Sequence, residues 1–242
     1  MGKIRNGSYS RLSTFEKCNH RAELAYVQGI AEPERPKLPE GQEYPNERGN
    51  RVHDALQAYV EGRGDLPREG RHFESQLYAL RQLHAKKVVA CEQMWLFDES
   101  WRPMPDESPN PFMRIKLDFR ARLRPALSLV GDYKTGKRDG NEVAHHEQGI
   151  TYAVAEFLRE PQVLEVITEF WYLDLPFIFR ERFERARLAP LLQNIDRRMK
   201  SMMRAEVFPA NPSSYTCSWC PFKTGKLGKT DIVGTGHCTR NP

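Results

Sequence analysis

Long apolar runs are missing from this sequence. Nothing approaches the roughly 20 residues that a membrane span needs, which excludes a transmembrane protein. The opening segment MGKIRNGSYSRLSTFEK lacks the apolar stretch of a secretory leader. Position 6 is Asn where a myristoylation signal places Ser or Thr. A soluble chain of cytoplasmic location is the expectation. No internal repeat with a period of about 20–50 residues is visible, which excludes solenoids and propellers. A functional P-loop is also lacking. Gly131 to Lys137 fits G-x-x-x-x-G-K, but Arg138 stands where Ser or Thr would hold magnesium, and Asp132 would repel phosphate. The ending Gly228-Lys229-Thr230 has Lys223 in place of the required first glycine. An ATPase therefore lacks its central motif.

The 242 residues, 39% hydrophobic, suffice for one large domain with a real core. Lys and Arg exceed Asp and Glu by 37 to 32, a net charge of +5. The excess is uneven. Residues 31–47 are acidic and carry four prolines, whereas 180–204 is dense in arginine and 223–229 holds three lysines without an acid. Such clustering suits a polyanion partner, and it equally suits a solvated basic helix.

Hydrophobic periodicity divides the chain. A helix capped by Ser10 and carrying Leu12, Phe15, Leu24 and Val27 is expected first, then a proline-rich loop over 31–47. Helices follow at about 48–61 and 70–86. Strands follow at 87–97, 114–123 and 127–134, then a helix at 143–158 and strands at 163–174 and 177–184. A long amphipathic helix with Leu188, Leu191, Leu192, Ile195 and Met199 leads to an irregular tail. This order describes an α/β core with additions at both ends. The parts are 1–86, helical; 87–175, the α/β core; 176–206, basic; and 207–242, cysteine-bearing, all within one domain.

Asp132 and Lys134 lie two apart at a strand end and so share a face. An acid and an amine projecting together can ligate a metal and activate water, or stabilise charge. Asp118 sits between Leu117 and Phe119 in the preceding strand, where an unpartnered acid is costly. If the two strands are antiparallel neighbours, Asp118 and Asp132 converge on one cation. Glu92, amid apolar residues one strand earlier, extends the acidic cluster. Gln148 and Tyr152 share a helix face four residues apart. His145 and His146 point in different directions, so at most one of them serves a site.

Gly131-Asp132-Tyr133-Lys134-Thr135-Gly136, preceded by Asp118, resembles the core of the PD-(D/E)XK nuclease superfamily. More narrowly, it resembles the RecB-like branch, with its CRISPR-associated exonucleases and AddAB-type nuclease domains. Ser8-Tyr9-Ser10-Arg11-Leu12 through Cys18, Gly49-x-x-x-His53, Gln148-x-x-x-Tyr152 and Cys217-Ser-Trp-Cys220-Pro221-Phe222 match that branch in order. The resemblance implies a restriction-endonuclease-like fold, a central mixed sheet flanked by helices. It also implies a metal-dependent DNA nuclease, with an exonuclease on single strands or free ends favoured over an endonuclease or a non-catalytic module. Asp118, Asp132, His53 and the Tyr133 carbonyl would hold Mg²⁺ or Mn²⁺; Glu92 is a further candidate ligand from its place in the acidic cluster, not from the resemblance. Lys134 would act on the attacking water or the phosphate charge, and Gln148 and Tyr152 would order the site. Arg197, Arg198 and Lys200 are candidate DNA contacts.

Cys217-x-x-Cys220 has chelating spacing, and with Cys238 and Cys18 it offers four thiolates. Spacing alone favours zinc, with His237 as a possible ligand. The RecB-like resemblance instead implies a 4Fe–4S cluster tying the chain ends together, with the segment before Cys238 looped out. Cys91 reads as a small buried hydrophobe.

Overall fold

A computed structural model describes residues 2–136 and 138–239; Lys137, in the P-loop-like run, lies outside the described residues. In chain order the elements begin with β1 (Gly7–Ser8), α1 (Tyr9–Lys17), α2 (Asn19–Tyr26), α3 (Pro45–Val60) and α4 (Glu74–Ala85). The central part holds β2 (Val89–Phe97), β3 (Pro103–Met104), β4 (Met113–Arg124), β5 (Leu127–Lys134) and α5 (Glu142–Arg159). Then come β6 (Glu165–Tyr172), β7 (Phe177–Glu184), α6 (Leu188–Met203) and α7 (Ser214–Ser218). The sheet runs β3-β2-β4-β5-β6-β7, with β1 paired in parallel to the start of β4. β4 and β5 are antiparallel, β5 and β6 parallel, and β6 and β7 antiparallel, so the seven-stranded sheet is mixed.

The chain divides into two compact units, one made of Gly41–Ser108 and Ile115–Gln193 and the other of the remaining described residues. In the first unit, strand alternation sends Phe119, Tyr133 and Trp171 to the face covered by Val52 and Leu56 of α3 and Leu77 of α4. The opposite face receives α5, whose Gly149 lies close to Thr168 and Phe170 and whose Tyr152 stacks on Phe170. That face buries a charge as well. Glu156 of α5 is 0% exposed and accepts three hydrogen bonds of 2.8–3.1 Å from Arg120, which also reaches Glu160. Gly131 is required by packing, because a Cβ there would overlap the ring of Phe119.

In the second unit the expected single helix through residue 27 is two helices. Ser8, not Ser10, accepts the capping bond from Arg11 N at 3.2 Å. Cys18 then takes an extended conformation, φ −161° and ψ 107°, which ends α1 and starts α2. In the first unit, the start of the expected 70–86 helix is 3-10 up to Phe73. Residues 223–238 fold back on themselves through bridges Lys223–Cys238 and Lys226–Val233. Among the described residues, no helix is long and apolar enough to cross a membrane.

Candidate active site

The antiparallel register that pairs Phe119 with Gly131 brings Asp118 beside Asp132, although Asp132 lies outside the one metal-capable group among the described residues. Both carboxylates are buried, at 6% and 7% exposure. They are held differently.

Asp132 belongs to a closed ring of side chains. Its Oδ1 accepts from the Tyr152 hydroxyl at 2.6 Å, and that oxygen accepts from Gln148 Nε2 at 2.6 Å. Gln148 Oε1 accepts from Lys134 Nζ at 3.0 Å, and Lys134 Nζ lies 2.6 Å from Asp132 Oδ2. Burial and the neighbouring Asp132 charge keep the Tyr152 phenol well above its ordinary pKa, so it remains a donor. The Lys134 ammonium also lies over the Phe170 ring, 5.2 Å from its centroid. His145 stacks on Phe170 and bonds to Tyr172, and burial together with Lys134 lowers its pKa to about 4. It is therefore neutral near pH 7. His146 turns elsewhere, to Glu181 at 2.6 Å.

Asp118 belongs to a second group. Its Oδ2 accepts from Tyr133 N at 2.5 Å, and Oδ1 lies 3.1 Å from His53 Nδ1. Glu92 completes this group: ligand atoms of His53, Glu92 and Asp118 lie within 4.8 Å of one another, the one such cluster among the described residues. Burial, then repulsion from Asp132, raises the Asp118 pKa to about 6, against the pull of His53 and Tyr133 N–H. Burial would lower the His53 imidazole, but Asp118, Asp132 and Glu92 outweigh it and raise it. Two carboxyls and an imidazole gathered this closely offer oxygen and nitrogen donors that suit a divalent ion.

Backbone conformation contributes to this group. Glu92 lies inside β2 with φ of 49°, a left-handed value that costs a non-glycine residue about 1–2 kcal/mol. Such outliers inside strands re-aim side chains next to functional sites. On α3, Arg48 donates to Thr135 O at 3.1 Å and pairs with both oxygens of Asp174. The helix bearing His53 is thus tied to the chain just beyond β5. A groove of about 530 Å³ opens here, lined by Asn46, Asn50, His53, Asp54, Lys116 and Thr135.

Elsewhere, Cys18, Cys217, Cys220 and Cys238 all line one cavity of about 290 Å³. Asn211 N lies 3.5 Å from Cys18 Sγ, which joins the first helices to the C-terminal segment. Cys91 is half-buried, and burial pushes its thiol up to about 12, as suits an inert core thiol. Of the basic candidates, Arg198 pairs with Glu16 and Lys200 with Asp196, whereas Arg197 is exposed. Neutralised in this way, the helix presents less positive charge than its sequence suggests.

The profile of the PD-(D/E)XK nuclease superfamily matches residues 6–224. The chain belongs to that superfamily, and its mixed seven-stranded sheet flanked by helices agrees with a restriction-endonuclease-like fold. Among solved structures, SSO0001 is similar at 13% identity, over 92% of this chain and 85% of its own, with a TM-score of 0.38. A candidate exonuclease from Eubacterium rectale is similar at 14% identity, over 84% of this chain and 83% of its own, with a TM-score of 0.45. No functionally curated protein matches the sequence.

Proposed function

We propose that this chain is a Mg²⁺- or Mn²⁺-dependent deoxyribonuclease, an exonuclease acting on single strands or free ends. The observation that carries the reading is the pairing of a cation-ready group, His53, Glu92 and Asp118, with Asp132 and Lys134 on the adjoining strand end. A divalent cation in this site supplies Lewis-acid polarisation of the phosphodiester. Asp132 and the Tyr133 carbonyl, at the turn of β5, are the further ligands the RecB-like resemblance assigns. Lys134 positions the attacking water or meets the charge that grows on the phosphate, and Gln148 and Tyr152 fix its ammonium. The exonuclease preference rests on the RecB-like motifs around Ser8, Gly49, His53, Gln148 and Tyr152.

The four cysteines act as a structural staple in this reading. Tetrahedral zinc, with Zn–S of about 2.3 Å, needs sulfurs about 3.8 Å apart. The cysteine sulfurs do not form a group of three within 4.8 Å. The four cysteines share one cavity, and the preference for a 4Fe–4S cluster over zinc rests on the RecB-like resemblance alone. Backbone contact with DNA falls to exposed Arg197, with Arg198 and Lys200 beside it.

The test is a time course on end-labelled linear and circular single-stranded DNA with Mg²⁺ or Mn²⁺. Mononucleotide release from linear DNA alone supports the exonuclease; opening of circles makes it an endonuclease; no cleavage with retained binding overturns the enzyme. Iron and sulfide analysis of anaerobically purified protein decides the staple.

A further inference from the structure

One cation already sits on the metal-ready group. Lys116 Nζ lies 2.5 Å from Glu92 Oε2, and Glu92 is one of the three groups that cluster within 4.8 Å. Lys116 and Asp118 are two apart on β4 and share its face. Their settings differ sharply: the Lys116 side chain is 59% exposed, Glu92 only 15%, and Asp118 is buried. Lys116 also lines the groove of about 530 Å³ together with His53 and Thr135. Its ammonium therefore stands at the boundary between the acidic group and the space a phosphodiester would enter. Lys134 is placed otherwise, locked to Gln148 and Asp132.

We infer that Lys116 is a tethered cation that exchanges between Glu92 and a substrate phosphate as a divalent ion occupies the His53–Glu92–Asp118 group. The argument is electrostatic. An ammonium and a divalent ion compete for one carboxylate, so the lysine weakens metal binding in the free protein. When the ion takes Glu92, the ammonium is repelled, and its flexible four-carbon stem leaves it in the groove. There a phosphodiester is the available anion, and a charge-assisted hydrogen bond to it is strong. Lys116 is a binding residue, and the exchange makes metal and substrate bind cooperatively, since each vacates or completes what the other needs. The strained conformation of Glu92 is consistent with a carboxylate held for this purpose. This inference rests on the nuclease reading for its substrate but not for its metal half.

The experiment uses the full chain and Lys116→Met, with Lys116→Arg retaining the charge. Free Mn²⁺ is titrated by EPR without DNA. Lys116→Met should bind Mn²⁺ about two- to five-fold more tightly, the worth of one partly exposed ion pair, and Lys116→Arg should resemble the wild type. On single-stranded DNA, KM for Lys116→Met should rise about ten-fold, the loss of one charge-assisted hydrogen bond, and by more than kcat falls. Unchanged or weaker Mn²⁺ binding in Lys116→Met overturns the exchange. So does a fall in kcat at constant KM, which would place Lys116 in the chemical step. A wild-type protein that binds Mn²⁺ yet cleaves no DNA overturns the nuclease reading instead, and oligonucleotide binding then replaces KM as the second readout.

Discussion

The ring formed by Asp132, Tyr152, Gln148 and Lys134 makes a quantitative claim about coupling. Tyr152→Phe removes a hydroxyl that donates to a buried carboxylate at 2.6 Å and accepts from Gln148 at 2.6 Å. Hydrogen bonds to charged groups contribute about 1.5–3 kcal/mol. Gln148 Nε2 keeps a weaker contact to Asp132 Oδ1 at 3.3 Å, so the lower half of that range is expected for this variant. Gln148→Met opens the ring at a different place, taking away the acceptor of Lys134 while Tyr152 still donates to Asp132. A ring, once opened, has less left to lose. The double variant should therefore cost less than the two single losses added, by about 0.5 kcal/mol or more, as for residues in one network. Urea unfolding in chelator reads this directly, provided the slope is unchanged. Each single variant should lower Tm by a few degrees, at about 2–4 °C per kcal/mol for a chain of this size. Single-turnover cleavage should fall about ten-fold or more in either variant. Strict additivity, to within about 0.3 kcal/mol, refutes the closed ring.

Arg120→Met should destabilise the protein by about 3–5 kcal/mol, because it strands Glu156, at 0% exposure, without its main partner. Arg120→Met/Glu156→Met should recover most of that loss in thermal unfolding, and no recovery refutes the account. Gly131→Ala should cost about 1–3 kcal/mol, since the new Cβ meets the Phe119 ring; an unchanged Tm shows that the ring moves freely. Asp118→Asn concerns pH. In chelator the folded-state pKa of about 6 lies above the ordinary 3.8, so the wild type loses stability as pH rises through that interval. Asp118→Asn should flatten the decline and be the more stable protein above pH 6, while Mn²⁺ stabilises only the wild type; equal pH profiles refute the burial argument.

Several elements were legible because local pattern and tertiary need agree. The 127–134 strand has the observed bounds, since its alternating residues face two covered sides of one sheet. The antiparallel pairing of the strands that carry Asp118 and Asp132 followed from strand order plus the short connection between β4 and β5. The shared face of Gln148 and Tyr152 followed from helical spacing and is observed as a 2.6 Å bond. What sequence did not show is set by distant parts of the chain. Nothing at Cys18, neither glycine nor proline, announces a break between helices; Asn211 reaches its sulfur from far along the chain. The two-residue strands β1 and β3 exist only through their partners. Glu16 neutralises Arg198 from 182 positions away, so the arginine-rich stretch read as more cationic than it is. The left-handed backbone at Glu92 cannot be inferred from residue type.

The two acids at the heart of the site thus present an asymmetry. Asp132 is held from within: β5 and α5 supply its lysine, tyrosine and glutamine, although its Oδ2 has the Lys134 ammonium beside it and no hydrogen-bond partner among the described residues. Asp118, Glu92 and His53 come from β4, β2 and α3, three elements that converge without neutralising one another fully; burial and like charge hold the Asp118 proton up to about 6. In the proposed nuclease, a cation bound there would relieve that penalty, and the energy withheld from folding would return as metal affinity. The site is therefore half rigid and half adaptive. The rigid half aims Lys134, and in the proposed exchange the adaptive half is where an ion and Lys116 compete for Glu92 while a phosphodiester accepts the displaced ammonium.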